Sequence, residues 1–217
     1  MPIGLAYLGG SIKQHQHIVN ILDSMAFQED NHVVLSPSRE EEFLIKTRPF
    51  ISHLFHIGAS WERIRRDIEE LKPDLVGISC LTIAHATEAF SVARIAKSVD
   101  AKIPIVLGGG FPSALPTVAL SSPYVDYLVF GEGEKTILEL IQAIEGRLNH
   151  EAVEGLAYKI RGKIKINPRC GFINDLDQLP PPELRLLPLE RWFRNTGRRF
   201  TMLITSRGCP FKCSFCS

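Results

Sequence analysis

The chain lacks most of the features that would settle its class at once. Its 217 residues include only two tryptophans, four tyrosines and five cysteines. Neither sign of charge is in surplus: 25 Lys and Arg stand against 24 Asp and Glu, a formal net charge of +1. That balance removes any electrostatic ground for expecting a nucleic acid or an acidic membrane surface as partner. The basic cluster Arg191, Arg194, Arg198 and Arg199 reads as a solvated face. No apolar run reaches the roughly 18 residues that a spanning helix requires, so no membrane span is expected. The opening "MPIGLAYLGGSIKQ" has neither a basic leader nor a cleavage pattern and does not read as a signal peptide. There is no G-x-G-x-x-G, no internal repeat and no P-loop, since "GGGFPSA" lacks the Lys–Ser/Thr pair. An odd number of cysteines, three of them bunched, makes a poor disulfide framework and a better metal site. A reducing cytoplasm fits both features.

What is present is an alternation. Short, nearly continuous apolar runs occur at 74–79, 103–107 and 125–130, with a fourth candidate at 18–24. Such runs suit strands buried on both faces. Amphipathic stretches lie between and after them. Residues 60–73 place Trp61, Ile64, Ile68 and Leu71 on one stripe, with Ser60 as N-cap and Pro73 past the stop. Stretches 84–98 and 134–148 follow the same spacing. This pattern predicts an α/β fold, a doubly wound parallel sheet with helices on both faces, over residues 1–150. Residues 155–168 alternate about Arg161-Gly162 and predict a hairpin. The proline-rich stretch 176–188 predicts a linker, which puts hairpin and linker in 151–198. A last strand is expected at 199–206, opening a third region, 199–217.

In an open parallel sheet, ligands bind outside the carboxyl ends of the strands. Three loops fall there: Ser79-Cys80-Leu81-Thr82, Gly108-Gly109-Gly110-Phe111-Pro112-Ser113 and Gly131-Glu132-Gly133-Glu134. Glycine admits a close ligand, hydroxyls hydrogen-bond, and a helix N-terminus offers free N–H groups. The tightness of strand-to-helix turns explains any one of these loops; all three on one edge point to a cofactor cleft. Cys80 reads as a small buried apolar residue. Cys209, Cys213 and Cys216 end the chain as C-x-x-x-C-x-x-C. Thiolates select zinc, copper(I) or iron–sulfur clusters. Three thiolates on a four-iron cubane leave one iron open to substrate; a zinc site completed by a fourth ligand from elsewhere is the alternative.

"SRGCPFKCSFCS", with Phe215 before the last cysteine, resembles the cluster motif of radical S-adenosylmethionine enzymes. "LVGISCLT", "VLGGGFPSALP" and "YLVFGEGEKTILELI" resemble the flavodoxin- or Rossmann-like cobalamin-binding domain that precedes that motif in one large subfamily. "PIGLAYLGGSIK" and "INDLDQLPPPELRLLP" match the same arrangement. The resemblance covers nearly the whole chain. It implies that Cys209, Cys213 and Cys216 ligate a 4Fe–4S cluster whose open iron chelates S-adenosylmethionine. Reductive cleavage would then give a 5′-deoxyadenosyl radical for methyl transfer, ring closure or rearrangement, with an electron donor such as flavodoxin or ferredoxin. It further implies that Ser79, Thr82, Gly108, Gly109, Gly110, Gly131, Glu132 and Gly133 contact cobalamin.

Three departures from the pattern shape the expectations. The D-x-H-x-x-G motif that puts a histidine on cobalt is not matched, because Leu35 stands where glycine should be. His32 is therefore not expected as a cobalt ligand, and His85 reads as a helix-start residue. The family's first, central strand is not found before "PIGLAYL", and the barrel that holds S-adenosylmethionine needs roughly 200 further residues. The chain thus reads as an N-terminal piece containing only the first strand of that barrel, with no turnover expected of it alone. Two other readings stay open. One is a non-catalytic cobalamin- or nucleotide-binding module, the other a zinc-stabilised interaction domain. A methylthiotransferase would bring further cysteine ligands, for which Cys80 and Cys170 are too few.

Overall fold

Apolar periodicity is realised as alternation across one sheet. The computed structural model describes residues 1–27, 33–34, 55–56, 58–211 and 213–214. In chain order the helices are α1 (Ile3–Lys13), α2 (Trp61–Leu71), α3 (Ala86–Val99), α4 (Gly110–Ala114), α5 (Pro116–Ala119), α6 (Gly133–Ile144) and α7 (Leu189–Thr196). The strands are β1 (Val33–Val34), β2 (Phe55–His56), β3 (Val76–Ser79), β4 (Ile105–Gly108), β5 (Tyr127–Val129), β6 (Leu156–Ile160) and β7 (Lys163–Ile166). β1 and β2 pair with each other, antiparallel. The other five form one sheet in the order β3-β4-β5-β6-β7. β3, β4 and β5 run parallel, and β5, β6 and β7 antiparallel.

The register explains the two-sided core. Leu107, Leu128 and Ala157 are partners across β4, β5 and β6, and all three are fully buried. With Ile105 they pack beneath Ile64 and Ile68 of α2 and Ala89, Ala93 and Ala96 of α3. The alternate residues Val106, Val129, Leu156 and Tyr158 face the other way, against Ile137 and Leu140 of α6 and Leu8 and Ile12 of α1. A two-residue side-chain period sends successive residues to opposite faces, so near-continuous apolar runs require helices on both. The α/β architecture expected from the sequence is the one observed. The helix start at Ser60 is also observed: its side chain accepts a hydrogen bond from the Arg63 backbone N–H at 3.2 Å.

The hairpin is present, turning at Arg161 and Gly162, both at positive φ. It continues the main sheet, because β6 pairs directly with β5; the sheet is therefore mixed, not wholly parallel. Two strand expectations are corrected. Residues 18–23 carry no regular structure and lead into a 3-10 turn at Ser24–Ala26. Residues 199–206 are likewise unpaired, with Leu203 64% exposed. A strand needs a neighbour to satisfy its N–H and C=O groups, and among the described residues neither segment has one. Asp30, His32 and Cys216 lie outside the described residues.

The proline-rich stretch 176–188 is fastened down along α1. Glu183 donates its backbone N–H to the Ala6 carbonyl at 2.9 Å, and its carboxylate pairs with Lys13 at 2.9 Å. The glycine pair in "LGGS" makes this approach possible. A Cβ on Gly10 would lie 2.6 Å from the Pro181 carbonyl oxygen, and one on Gly9 would lie 2.6 Å from Leu186 Cδ1. Further on, α7 docks where Trp192 donates its ring N–H to Asp23 at 2.6 Å. Arg191, from the basic cluster, stacks its guanidinium 4.0 Å from the Phe27 ring centroid.

Candidate functional site at the carboxyl edge of the sheet

The loops after β3, β4 and β5 meet at the carboxyl ends of the parallel strands, as their order along the chain requires. The first two are locked together by backbone. Cys80 donates its N–H to the Gly108 carbonyl at 2.8 Å, and Phe111 donates to the Cys80 carbonyl at 3.2 Å. Gly109 sits at φ +111°, and a Cβ there would lie 2.5 Å from the Cys80 carbonyl oxygen. A Cβ on Gly110 would lie 2.5 Å from the Leu81 carbonyl oxygen. These two glycines therefore have a packing reason of their own: they let one loop close on the other. At Gly108 the nearest atom to such a Cβ is 3.5 Å away, an ordinary contact.

Gly131 differs. Its φ is +84°, and a Cβ would meet nothing within 4 Å, so the space beside it is open on the protein side. Its N–H donates to the Ser113 hydroxyl at 3.2 Å. Gly133 begins α6, where a Cβ would approach Leu8 Cδ2 to 3.2 Å. Ser79 and Thr82 are exposed. The Thr82 hydroxyl lies 3.0 Å from His85 Nδ1, which gives His85 a local partner at the start of a short turn, in keeping with its helix-start reading. Beside these polar groups the loops expose Leu81 (73%), Ile83 (55%) and Leu115 (43%). An edge that mixes apolar side chains, hydroxyls and unobstructed backbone suits a large amphipathic cofactor, and these residues fit cobalamin in that sense.

Glu132 is engaged within the protein. One carboxylate oxygen accepts the Ile173 backbone N–H, and the other lies 3.4 Å from Arg207 Nη1. Glu134, whose side chain is only 8% exposed, pairs with Arg207 Nη2 at 2.6 Å. Sequence patterning did not single out Arg207 or Glu134 as partners. Their separation of 73 residues leaves no local signal, beyond the presence of a lone arginine beside the cysteines.

Cys80 is 1% exposed, and its thiol donates to the Thr82 carbonyl at 3.3 Å. Burial, aided by the Glu88 carboxylate, pushes this thiol up from 9.0 to about 11. The folded thiol titrates above the unfolded one, so the stability it contributes is complete below about pH 9 and declines as pH rises toward 11. Since only the thiolate is nucleophilic, Cys80 is expected to stay unmodified by iodoacetamide at pH 8 in the native chain, while Cys209 and Cys213 react. Peptide mass mapping decides this, and labelling of Cys80 at the rate of Cys209 would contradict it.

Cys209 and Cys213 are exposed free thiols, a donor type suited to iron–sulfur or zinc. The third cysteine of the trio, Cys216, is outside the described residues. Among the described residues no three His, Cys, Asp or Glu side chains are gathered around one point, and no helix is long and apolar enough to cross a membrane.

Residues 50–141 match the B12 binding domain family. An uncharacterized methyltransferase of Pyrococcus horikoshii is 32% identical over the whole chain, which covers 40% of that protein. The anaerobic magnesium-protoporphyrin IX monomethyl ester cyclase of Rubrivivax gelatinosus is 37% identical over 73% of the chain and 29% of its own length. The chain thus spans about two fifths or less of the length of these two curated relatives. The fold matches the apo cobalamin-dependent S-adenosylmethionine radical enzyme OxsB with a TM-score of 0.66 at 19% identity, over 99% of this chain and 25% of that one. Residues 50–141 thus carry a B12 binding domain match, and the chain is similar to one part of these longer methyltransferase and cyclase proteins.

Proposed function

We propose that the chain holds cobalamin against the carboxyl edge of its sheet and a 4Fe–4S cluster on Cys209, Cys213 and Cys216, in the service of a radical S-adenosylmethionine enzyme. The observation that carries this reading is the attachment of the cysteine segment to that same edge. Arg207, two residues before Cys209, pairs with Glu132 and Glu134 of the loop after β5. When bound, the cluster would supply an electron to split S-adenosylmethionine on its open iron, and the corrin would supply cobalt for methyl transfer, ring closure or rearrangement.

The chain's own residues would do the following. Ser79 and Thr82 present exposed hydroxyls to the polar rim of the cofactor. Gly109 and Gly110 close the loops after β3 and β4 into one surface, and Gly108 carries the strand into it. Gly131 leaves backbone unobstructed, and Gly133 opens α6 with free N–H groups toward the edge. Glu132 shapes the loop through Ile173 and Arg207. Leu81, Ile83 and Leu115 cover apolar surface of the ligand. Three thiolates leave a cubane iron free for the amino and carboxylate groups of S-adenosylmethionine. An electron donor of the flavodoxin or ferredoxin kind, an organic small-molecule substrate and a reducing cytoplasm complete the reading.

Anaerobic reconstitution with iron, sulfide and hydroxocobalamin, followed by gel filtration and metal analysis, tests it. About four irons and one cobalt per chain are expected. Cobalt alone would leave a cobalamin-binding module without cluster chemistry. One zinc without cobalt would favour the interaction domain. A colourless chain that takes up neither iron nor cobalt would overturn the proposal.

A further inference from the structure

We infer that Arg207, Glu132, Glu134 and Tyr7 form a latch that positions the cysteine segment on the cobalamin-binding domain. The inference deepens the proposed function and rests on it only for the identity of what the cysteines carry.

Glu134 is the starting point. Its carboxylate is nearly buried in the first turn of α6. A helix N-terminus favours an anion, but a carboxylate removed from water needs a charged, hydrogen-bonding partner as well. That partner comes from a distant part of the chain: Arg207 Nη2 at 2.6 Å. The same guanidinium reaches Glu132 Oε1 with Nη1 at 3.4 Å. A planar fork that serves two carboxylates at once fixes direction as well as distance, which a lysine ammonium would not do. The Arg207 side chain is only 20% exposed, so solvent screens the contact weakly.

A second contact holds the chain just before it. The Tyr7 hydroxyl of α1 donates to the Ile204 carbonyl at 3.3 Å and receives the Ile204 N–H at 3.4 Å. The Tyr7 ring also lies 5.5 Å from the Arg207 guanidinium, within cation–π range. Residues 204 and 207 are thus fixed from two elements, α1 and α6. Between Arg207 and Cys209 stands only Gly208, at φ +86° with nothing within 4 Å of where a Cβ would lie. The segment itself has no strand partner among the described residues, yet side chains tie it to the sheet edge. Glu132 joins the two halves of the arrangement: it lies in a loop proposed to face the corrin, and it holds the arginine two residues before Cys209.

Arg207 is accordingly a positioning residue, and its test needs a readout that does not depend on turnover. Hydrogen–deuterium exchange of the apo chain, followed by mass spectrometry over residues 199–209, provides one. Arg207→Gln is expected to lose about tenfold protection at the Ile204 amide, whose N–H is held by the Tyr7 hydroxyl, the scale of one charge-assisted hydrogen bond. Peptides from β4 and α3 should exchange as in the parent. Glu134→Gln, which leaves the longer Glu132 contact in place, should give a loss no larger than that of Arg207→Gln, and the double variant should be no worse than Arg207→Gln alone, because the guanidinium supplies every Arg207 contact that Glu134 loses. Arg207→Lys should restore only part of the protection. If Arg207→Gln loses helicity by circular dichroism, Glu134→Gln decides alone. Unchanged exchange over 199–209 in a folded variant overturns the latch. After reconstitution, iron retained by Arg207→Gln should fall severalfold below the parent; equal retention would remove the positioning role. A parent that binds no iron would refute the cluster while leaving the exchange experiment to decide the latch.

Discussion

Alanine at Gly109 is expected to lower the unfolding midpoint by roughly 6–12 °C, on the basis of about 2–4 °C per kcal/mol for a chain of this size and a loss of about 3 kcal/mol. Two effects add. The backbone at φ +111°, ψ −169° lies in a region that side-chain-bearing residues essentially do not occupy, at a cost on the order of 1–3 kcal/mol. The new Cβ would also sit 2.5 Å from the Cys80 oxygen and 2.9 Å from its carbonyl carbon. Both are backbone atoms, so no rotamer can move aside. Relief requires the loops to part, which breaks the bonds of Cys80 to Gly108 and of Phe111 to Cys80. Gly131→Ala is the control: its φ is +84° but nothing lies within 4 Å, so only the left-handed backbone penalty of about 1–2 kcal/mol applies. Thermal and urea unfolding of the two variants read the difference. A Gly109→Ala chain as stable as Gly131→Ala would show that the loops do not meet as described.

Serine at Cys209 or Cys213 should have the opposite profile: large for metal, negligible for the fold. Both thiols are exposed and free, so each exchange should shift stability by within about 0.5 kcal/mol. A cubane held by only three protein thiolates has no spare ligand, and hard hydroxyl oxygen is a poor substitute for thiolate sulfur. Reconstituted iron is expected to fall from about four per chain to below about one, with loss of the visible charge-transfer absorbance. Serine variants that retain parental iron would remove these residues from the ligand set. Loss of a single bound zinc in place of iron would move the site to the alternative reading.

The comparison of sequence with structure divides along range. The three parallel strands, the stripe of α2 with its Ser60 cap, the start of α6 and the hairpin turn at Arg161-Gly162 were legible because their causes are local: side-chain period, a capping hydroxyl, residues able to take positive φ. The candidate loops were legible for a related reason, since parallel topology assigns every strand-to-helix loop to one edge. Residues 18–24 and 199–206 misled because a strand-like pattern states only that a segment can pair. Pairing requires a neighbour, and among the described residues none is there.

By itself the sequence determined the alternation of β3, β4 and β5 with α2, α3 and α6, the two-faced sheet, the edge where glycines and hydroxyls collect and the cysteine trio that follows. Only the tertiary structure decided what several of those residues do. It turned Gly109 and Gly110 into contacts between loops and Gly9 and Gly10 into a bed for the proline-rich strap. It also made Glu132, expected only as a cobalamin contact, one arm of the Arg207 contact. The physical reason is the same in each case. Close approach and charge pairing depend on atoms far apart along the chain, and no period or spacing encodes which distant backbone or guanidinium will arrive.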